Sequence, residues 1–590
     1  MLNNIKRLLD NKERRKFSVL VTQMVLVALL EFLGIALVLP FIRYAGGQLS
    51  AERLPDFIAP YITRFGDNQT LIYVGVTIFF LIVISTLLKI YLGWREQKFV
   101  WDLSLRLSLK QHKNILSKDY VFFIEKNSAE IITNLIVETS TVVRGVLLPF
   151  AQIISNSIIA MLFLGLITYL EPKISLILIG GSVIVGVTII YLLKNTLSNL
   201  GQKRLLLERS RYLQLKESIL GIKTVKTNAK EMFFQSKFAE VSEKYTNIKP
   251  IVNTLNSIPR KAMDIFLFGG VVLLVTIIVY RGGEVTTLLP KLTFYVLVGF
   301  KLLPTFQNII NSIITIRFSY PSIKAVFEGL DESTRGSLRR SDKRLLFNQN
   351  VELVDCSFSH VENENVLDNV SIKIEKGQRI GIVGYSGSGK TTLVEVISGL
   401  LFPSQGKLLL DGNEINDKNL ADYLNIIAFI PQSVFFFDDT ILRNITFEDD
   451  LQNVDLDHLA SVLKLLSLNE FIDELPHGLQ SRVGEFGVKM SGGQRQRIGF
   501  ARAMYRKPEI LILDESTSAM DYITEQNLLS SVKQELTDLT LIKVAHRLKS
   551  VKDCDIIYFV EQGRITAKGT FDEIVKDNSL FKDMVLAGRL

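Results

Sequence analysis

Long apolar runs alternate with polar segments in the first half of the chain, whereas the second half has none. Six runs have roughly 20 residues, the length of helix that crosses the hydrocarbon core of a bilayer. They lie at Phe17–Leu39, Leu71–Trp94, Val146–Leu170, Ile174–Leu193, Met263–Tyr280 and Val285–Phe306. Burial in a large water-soluble core is the alternative interpretation. Six such runs in one half of a chain favour six membrane-spanning helices.

The distribution of Lys and Arg orients these helices, because cytoplasmic segments carry more basic residues. The leader before the first run contains Lys6, Arg7, Lys12, Arg14, Arg15 and Lys16. The turn after the third run is only Glu171-Pro172-Lys173. The N-terminus is therefore predicted to be cytoplasmic. The long charged connections at about 95–145 and 194–262 follow on the same side and predict helices that extend beyond the membrane.

The external segment between the first two runs is longer than a simple turn. Apolar residues recur there with the spacing of one helical face, at Leu54, Phe57, Ile58, Tyr61, Ile62 and Phe65. The spacing predicts a short helix on the outer membrane surface. An irregular loop packed on the spans is the alternative, since Pro55 and Pro60 disfavour a helix interior.

From about Asn350 the pattern changes to short β-branched strands that alternate with helical stretches. Examples are Arg379–Val383, Glu509–Asp514 and Ile556–Val560. This alternation is typical of an α/β domain with a largely parallel sheet. The predicted organisation is a membrane α-helical domain at 1–325, a linker at 326–349 and an α/β domain at 350–590.

Composition agrees with a membrane protein and excludes several other classes. Of the 590 residues, 48% are apolar and 22% charged. The net charge of +8, from 68 basic and 60 acidic residues, is accounted for by basic residues flanking the membrane, so no nucleic-acid partner is expected. Only two cysteines occur, Cys356 and Cys554, which argues against a disulfide framework and suits a reducing compartment.

A phosphate-binding loop is predicted at Gly384–Thr391, which reads G-x-x-x-x-G-K-[ST] between an apolar strand and a helical pattern. Its glycines allow backbone N–H groups to approach phosphates, and the helix N-terminus adds partial positive charge. The predicted binding residues are Gly384, Ser386, Gly387, Gly389, Lys390, Thr391 and Thr392. Lys390 is expected to bridge the β- and γ-phosphates of a nucleotide, and the Thr391 hydroxyl to ligate Mg²⁺.

A second apolar strand, Ile510–Leu513, is followed directly by Asp514 and Glu515. Two acids after an apolar strand are more often an ordinary strand end than a site. Beside a phosphate-binding loop, however, an aspartate at this position is expected to lie on the Mg²⁺ side. The adjacent Glu515 is then the candidate general base for the attacking water.

The segment Met490–Arg497, with the sequence MSGGQRQR, resembles the signature motif of ATP-binding-cassette (ABC) ATPases. In that family the segment of one subunit caps the γ-phosphate of ATP bound by the other. The resemblance implies nucleotide contacts from Ser491, Gly492, Gly493 and Gln494. A serine hydroxyl and glycine N–H groups at a helix start are suited to bind an anion.

The resemblance assigns further residues to the family pattern. Gln432 matches the glutamine that senses Mg²⁺ and water, and is expected with Thr391 and Asp514 at the metal. His546 matches the switch histidine at the γ-phosphate, and Ser518–Asp521 matches the loop that crosses the dimer interface. Val483–Gly487 resembles the exporter-specific segment that touches helical loops of the membrane domain. His360 stands where an adenine-stacking tyrosine is usual, and imidazole stacks more weakly.

Six spans followed by one cassette resemble a half-transporter of the exporter type, so the implied fold is an exporter-type membrane domain joined to an α/β P-loop NTPase domain. Each cassette of this family carries half of two ATP sites, which implies a homodimer that uses ATP and Mg²⁺. The implied location is the bacterial inner membrane, with a cytoplasmic cassette. Two cytoplasmic turns are expected to dock on cassettes: Asp119–Lys126, with Tyr120, Phe122 and Phe123 as anchors, and Glu217–Lys226. Packing of those aromatics within the helix bundle is the alternative.

The predicted spans contain Glu31, Lys89 and Lys301, and Arg260 lies at the inner end of the fifth; intramembrane charges are functional candidates. Snorkelling to the interface is the alternative for Lys89. Pro259-Arg260 and Lys301 with Leu303-Pro304 resemble bacterial flippases of lipid-linked oligosaccharides, in which basic residues meet a pyrophosphate. Thr86 stands where that family has a third basic residue. A polyprenyl-pyrophosphate sugar is therefore the first substrate hypothesis. Alternatives are a multidrug or lipid A-type exporter, and a cassette ATPase that acts as a channel or regulator.

Overall fold

The structure is a computed structural model that describes residues 7–38, 41, 67–170, 172–280, 289–331, 345–361, 364–515, 528, 530–532, 538–545 and 548–586. Internal contacts divide the chain into two compact units. The helical unit comprises Met1–Leu116 and Glu125–Glu332, and the α/β unit comprises Ser117–Ile124 and Ser333–Leu590.

The described part of the helical unit consists mainly of long helices. Their bounds are Asn11–Ala36, Asp67–Leu116, Ser128–Thr133 continuing through π-helical turns to Leu148–Leu170, Pro172–Leu220, Ile222–Thr227, Glu231–Thr246, Ile248–Asp264 continuing to Gly270–Tyr280, and Leu289–Leu330. Four stretches of the described residues are long and apolar enough to cross a membrane: Asn11–Gly34, Ile72–Leu116, Ser128–Tyr169 and Gly180–Leu220. They include the first four predicted runs in whole or large part. The fifth and sixth runs lie mainly on the last two helices, and the count of six spans stays a prediction.

The helices continue far beyond the apolar runs, as the charged connections predicted. The Asp67–Leu116 helix has 50 residues and the Pro172–Leu220 helix has 49. At 1.5 Å per residue, 50 residues span about 75 Å, more than twice the hydrocarbon core. The last helix ends at Leu330, inside the segment predicted as a linker.

Close helix packing in this unit depends on one glycine and one buried ion pair. A Cβ atom at Gly201 would overlap the Phe318 carbonyl oxygen, so the backbones of the Pro172–Leu220 and Leu289–Leu330 helices approach each other directly here. Arg204 donates to a Glu138 carboxylate oxygen at 2.6 Å and to the Ser322 hydroxyl at 2.9 Å. Glu138 is 1% exposed. Three helices are therefore joined through one guanidinium group.

The α/β unit contains two sheets. The strands are β1 (Asn350–Val361), β2 (Glu364–Glu375), β3 (Arg379–Gly384), β4 (Gln405–Leu410), β5 (Asn413–Glu414), β6 (Ile427–Ile430), β7 (Ile510–Asp514), β8 (Thr540–Val544), β9 (Ile556–Glu561) and β10 (Arg564–Gly569). One sheet is antiparallel with order β2-β1-β4-β5. The other has order β10-β9-β3-β8-β7-β6, and all its strand pairs are parallel except β9 with β10.

Helices cover the larger, mostly parallel sheet. Its central strands consist largely of apolar residues, as expected for strands that are buried on both faces. The helices are Lys390–Ile397, Leu420–Leu424, Ile441–Thr446, Leu456–Leu465, Asn469–Asp473, Gly492–Tyr505, Phe571–Asp577 and Ser579–Leu586. All five residues of β7 are buried. The α/β domain predicted from the alternating pattern is confirmed.

Candidate nucleotide-binding site

Three strands of one parallel four-strand segment, β3, β7 and β6, deliver predicted site residues to one edge of the sheet. The four strands of this segment are neighbours in the order β3-β8-β7-β6. Strand β3 leads into the loop after Gly384, and β7 ends at Asp514. Gln432 follows β6 by two residues. Because ligands of open α/β sheets bind at the carboxyl ends of the strands, this edge is the candidate site.

The loop between β3 and the Lys390–Ile397 helix has a conformation that requires glycine. Gly387 and Gly389 have φ angles of +81° and +98°, in the left-handed region where other residues are strained. A Cβ atom at Gly389 would also lie 2.9 Å from the Val366 carbonyl oxygen, and one at Gly384 would overlap the Val560 carbonyl oxygen. The glycine pattern seen in the sequence is thus demanded by the backbone here.

Lys390 begins the helix and is 6% exposed. Its ammonium group donates to the carbonyl oxygens of Gly384 at 2.9 Å and Tyr385 at 2.8 Å. Burial lowers the pKa of Lys390, and the charges of Glu515 and Asp514 oppose that shift. The arrangement holds a cation inside the loop, where phosphate oxygens would replace the carbonyl partners.

The hydroxyl groups of the loop fit an incoming polyanion. The Ser388 hydroxyl is buried and has no hydrogen-bond partner within the described part of the chain, and such a group is costly unless a ligand satisfies it. Thr391 and Ser386 are exposed, whereas Thr392 is buried. Thr391 is therefore the accessible hydroxyl at the helix start.

Asp514, Glu515 and Gln432 lie together as predicted. The Gln432 amide Nε2 donates to the Glu515 carboxylate at 2.9 Å, and the Glu515 backbone N–H donates to the Val544 carbonyl oxygen at 3.2 Å. Glu515 has a φ of +48°. A non-glycine residue in this region costs about 1–3 kcal/mol, and such strain clusters at functional sites. The strained turn at Glu515 thus directs its carboxylate toward the side-chain amide of Gln432, which follows the neighbouring strand β6.

The oxygen atoms near the loop suit a magnesium ion. Thr391 supplies a hydroxyl, Asp514 a carboxylate and Gln432 an amide oxygen, and Mg²⁺ binds proteins through few such ligands together with phosphate oxygens. Among the described residues, no group of three or more His, Cys, Asp or Glu side chains could hold a metal ion. A magnesium ion would therefore depend on nucleotide phosphates for part of its coordination.

Sequence reasoning missed one acid at this site, Glu395 on the Lys390–Ile397 helix. Its pKa is raised by burial and, to a smaller extent, by the charge of Asp514. The same carboxylate adds to the burial that raises the pKa of Tyr120. No motif signals Glu395, because an acid in the second turn of a helix is common.

The signature segment starts a helix, as predicted. Ser491 is the N-cap of the Gly492–Tyr505 helix, and it forms a capping box with Gln494. The Ser491 hydroxyl accepts from the Gln494 backbone N–H at 3.2 Å, and the Gln494 side chain accepts from the Ser491 backbone N–H at 2.8 Å. A Cβ atom at Gly493 would meet no atom within 4 Å. Packing within the chain therefore does not explain this glycine.

Exposed phenylalanines surround the segment Val483–Gly487. Phe486, at φ +52°, stacks edge-on against Phe435 with 5.8 Å between ring centroids. Phe435, Phe437, Phe447 and Phe486 are each about half exposed. Arg502 lies beneath them, donating to the Phe435 and Asn444 carbonyl oxygens at 2.8 and 2.7 Å, and burial lowers its pKa to about 10.

One of the predicted docking turns groups with the α/β unit. Ser117–Ile124 belongs to that unit by its contacts, and Val121 packs against the core of the cassette. The expected anchors Phe122 and Phe123 instead stack on each other at 5.3 Å, and Phe123 is 40% exposed. The apolar anchor is Val121, an aliphatic residue between the aromatics that drew the prediction.

The second predicted turn, Glu217–Lys226, ends one long helix and starts the Ile222–Thr227 helix. It belongs to the helical unit and exposes Ile219, Leu220 and Ile222. Several other predictions fall outside the described residues: His546, the segment Ser518–Asp521 and the external helix around 54–65. The backbone of His360 lies in β1, and its side chain is also outside the description.

Two of the four charges predicted in or near the membrane spans pair with each other. Lys89 forms an ion pair with Glu31 between the first two long helices, so neither charge is isolated. Arg260 is exposed on the Ile248–Asp264 helix, one residue after Pro259. Lys301 lies on the Leu289–Leu330 helix. The Thr86 hydroxyl donates to the Ile82 carbonyl oxygen of its own helix at 2.8 Å.

Known proteins resemble both halves of the chain. Residues 367–518 match the ABC transporter family, and residues 52–286 match the ABC transporter transmembrane region. An ATP-dependent lipid A-core flippase of Pseudomonas fluorescens is 27% identical over 85% of this chain and 81% of its own length. The corresponding protein of Pseudomonas savastanoi is 31% identical over 62% of this chain and 60% of its own length.

Two further relatives span most of the chain. A putative export ATP-binding/permease protein of Rickettsia bellii is 26% identical over 85% of this chain and 87% of its own. A bacterial Atm1-family ABC exporter solved with ATP bound has a TM-score of 0.79 at 22% identity, covering 98% of this chain and 99% of that one. The chain therefore belongs to the ABC transporters of the exporter type, as a half-transporter that couples ATP hydrolysis at its cassette to transport across a membrane.

Proposed function

We propose that the protein is an ATP-driven flippase for a large anionic lipid of the lipid A type. The observation that carries this proposal is the similarity to lipid A-core flippases across 85% of the chain. These relatives favour the lipid A-type alternative over the lipid-linked oligosaccharide that the local resemblance suggested first. A polyprenyl-pyrophosphate sugar stays the second candidate, because Pro259-Arg260 and Lys301 with Leu303-Pro304 match that pattern.

Both candidate lipids carry phosphate, so basic residues with an unbalanced charge are the candidates for binding their headgroups. Lys89 is neutralised by Glu31, so its charge is already balanced inside the helical unit. Arg260 is exposed and Lys301 interrupts an apolar run. A cation facing a low-dielectric cavity offsets part of the cost of desolvating a phosphate. We assign headgroup binding to Arg260 and Lys301.

The roles proposed at the nucleotide site follow from the positions of its residues at the carboxyl ends of the parallel strands. Lys390 and the loop N–H groups bind phosphates, Thr391, Asp514 and Gln432 surround Mg²⁺, and Glu515 accepts the proton of the attacking water. Mg²⁺ would neutralise charge on the transferred phosphoryl group. Gln432 is a positioning residue, because its amide fixes one oxygen of Glu515.

The active unit is proposed to be a homodimer in the bacterial inner membrane. Ser491 is exposed and Gly493 faces open space, which supports an anion contact made by a second copy. The basic leader supports a cytoplasmic N-terminus, and the cassette would lie on the same side. Transport would then run from the cytoplasmic to the outer leaflet.

The test reconstitutes the full chain in vesicles and follows ATP-dependent movement of labelled lipids. The double variant Arg260→Gln/Lys301→Gln should slow flipping of a lipid A-type lipid by more than about tenfold, while ATPase activity stays within about threefold, under 1 kcal/mol of barrier. Lys261→Gln removes the adjacent exposed charge and is the matched control. Normal flipping by the double variant would remove both residues from headgroup binding.

A further inference from the structure

A groove separates the beginning of the Asn11–Ala36 helix from the middle of the Asp67–Leu116 helix. Its volume is about 640 Å³, and its lining includes Lys12, Lys16, Tyr91, Trp94, Arg95 and Lys98. All of these residues belong to the helical unit. The groove lies far along the chain from the proposed headgroup residues and from the nucleotide site, and neither accounts for it.

The groove is basic after its internal ion pairs are counted. Arg106, which also lines it, forms ion pairs with Glu13 and Asp10. The lining then retains four cations, Lys12, Lys16, Arg95 and Lys98, against the single acid Asp102. With the second acid paired to Arg106 also counted, a surplus of two positive charges (four minus two) around one groove is suited to a phosphate-bearing ligand.

Two of these cations have neighbouring side chains as partners. The Arg95 guanidinium donates to the Gln23 amide oxygen at 2.7 Å, which fixes the group beside the first helix. The Lys98 ammonium lies over the Trp94 ring, 5.3 Å from its centroid. Lys12 and Lys16 are exposed on the opposite wall. The charges therefore surround the groove from both helices.

The groove coincides with the end of the apolar surface on both walls. The apolar run of the second helix ends at Trp94, and that of the first helix begins at Phe17. Trp94 and Tyr91 are 58% and 53% exposed, and exposed aromatic residues at this level are typical of membrane–water interfaces. Leu20 and Phe99 add apolar lining. A ligand here would have one end in lipid and one end among cations.

We propose that this groove binds the phosphate headgroup of an anionic phospholipid in the leaflet next to the N-terminus. Basic pockets between helices at the cytoplasmic surface recognise such headgroups. Lys12, Lys16 and Lys98 supply point charges, and Arg95 supplies an oriented guanidinium. The acyl chains follow the apolar surface below Trp94 and Leu20. The bound lipid joins the first two helices at the membrane surface and is not the transported substrate.

The chain contains its own probe for this site. Its only two tryptophans are Trp94, in the groove, and Trp101. Trp101 stacks on Arg144 at 4.0 Å, and Trp101→Phe keeps an aromatic ring there. Full-length Trp101→Phe protein is reconstituted in phosphatidylcholine bilayers, and Trp94 fluorescence is quenched with dibrominated phosphatidylglycerol or dibrominated phosphatidylcholine. The ratio of the two binding constants is the readout.

The Trp101→Phe protein should prefer phosphatidylglycerol by at least about fivefold, the factor expected from one basic residue near an anionic lipid. Adding Lys12→Ser, Lys16→Ser and Lys98→Ser should reduce the ratio to about one. The control replaces Lys113, Lys203 and Lys230, which are exposed elsewhere on the helical unit, with Ser; it removes the same charge and should keep the preference.

Three outcomes would overturn the proposal. A ratio near one in the Trp101→Phe protein would mean that the groove does not distinguish anionic lipid. Equal loss in both triple variants would assign the preference to overall charge. Relief of quenching by excess soluble glycerol phosphate would assign the groove to a free phosphate compound. The Trp94 emission maximum in pure phosphatidylcholine checks that each variant is folded, since an unfolded chain would shift it.

Discussion

Replacement of Glu515 by Gln separates ATP binding from ATP hydrolysis more cleanly than any other single change at the sheet edge. The substitution keeps the shape of the side chain and removes only its charge and basicity. Loss of a general base slows a reaction by 10²–10⁴-fold, or at least about 2.7 kcal/mol of barrier. The expected ATPase rate is therefore below about one hundredth of that of the wild type.

The structure limits the competing effects of this substitution. Glu515 accepts a side-chain hydrogen bond from Gln432 at 2.9 Å, and the net contribution of this bond is about 0.5–1.5 kcal/mol. The amide oxygen of the new residue can still accept that bond. Removing a carboxylate beside a triphosphate also removes repulsion, so ATP affinity should stay equal or rise. The loss of hydrolysis is thus larger than any loss of binding or folding.

The assay measures ATP binding by a fluorescent analogue and phosphate release on the same purified protein. Glu509→Gln is the matched control, because this acid lies just before the same strand and pairs with Lys376 at 3.6 Å. Its turnover should stay within about twofold of wild type, since partly exposed ion pairs contribute little. Turnover of Glu515→Gln within about threefold of wild type would refute the assignment of the general base.

Three other predictions test the proposed dimer, the helix packing and the partly buried acid Glu395. Mixing inactive Lys390→Ala and Ser491→Arg chains should restore about a quarter of wild-type ATPase activity, since half the dimers are mixed and each has one intact site; no recovery would contradict shared sites. Gly201→Ala should lower the thermal midpoint of the full chain because its Cβ overlaps the Phe318 carbonyl oxygen, whereas Gly165→Ala, with nothing within 4 Å, should not. Equal midpoints would remove that contact from the packing argument. Glu395→Gln should stabilise the chain at neutral pH, because burial raises the pKa of Glu395 above its ordinary 4.5 and its charge is costly there. The gain should vanish as pH falls below 4.5, and a gain that grows at low pH would contradict it.

The nucleotide site could be predicted because its phosphate-binding residues belong to short motifs that are local in the sequence. Gly387, Gly389 and Lys390 are consecutive parts of one turn, and the strand before them fixes its position at the sheet edge. The proximity of Gln432 to Glu515 followed only from a family resemblance. No local pattern specifies which strands become neighbours, and 83 residues separate the two.

Tertiary contacts explain what the sequence did not reveal. The Glu31–Lys89 pair joins residues on two helices, and each charge alone resembled a functional site. Val121 was overlooked because aromatic neighbours carry a stronger signal for docking than one β-branched residue. The left-handed conformation of Glu515 also has no sequence signal, since the residue that usually marks a left-handed backbone conformation is glycine.

The central claim is that ATP hydrolysis at this site drives a phosphorylated lipid across the membrane. The most direct measurement is the initial rate at which a labelled lipid A-type lipid changes leaflet in vesicles that contain wild-type or Glu515→Gln protein, with and without ATP. Transfer should require ATP in the wild type and fall at least about a hundredfold in the variant, following its ATPase rate. Equal transfer by both proteins, or transfer independent of ATP, would contradict the account.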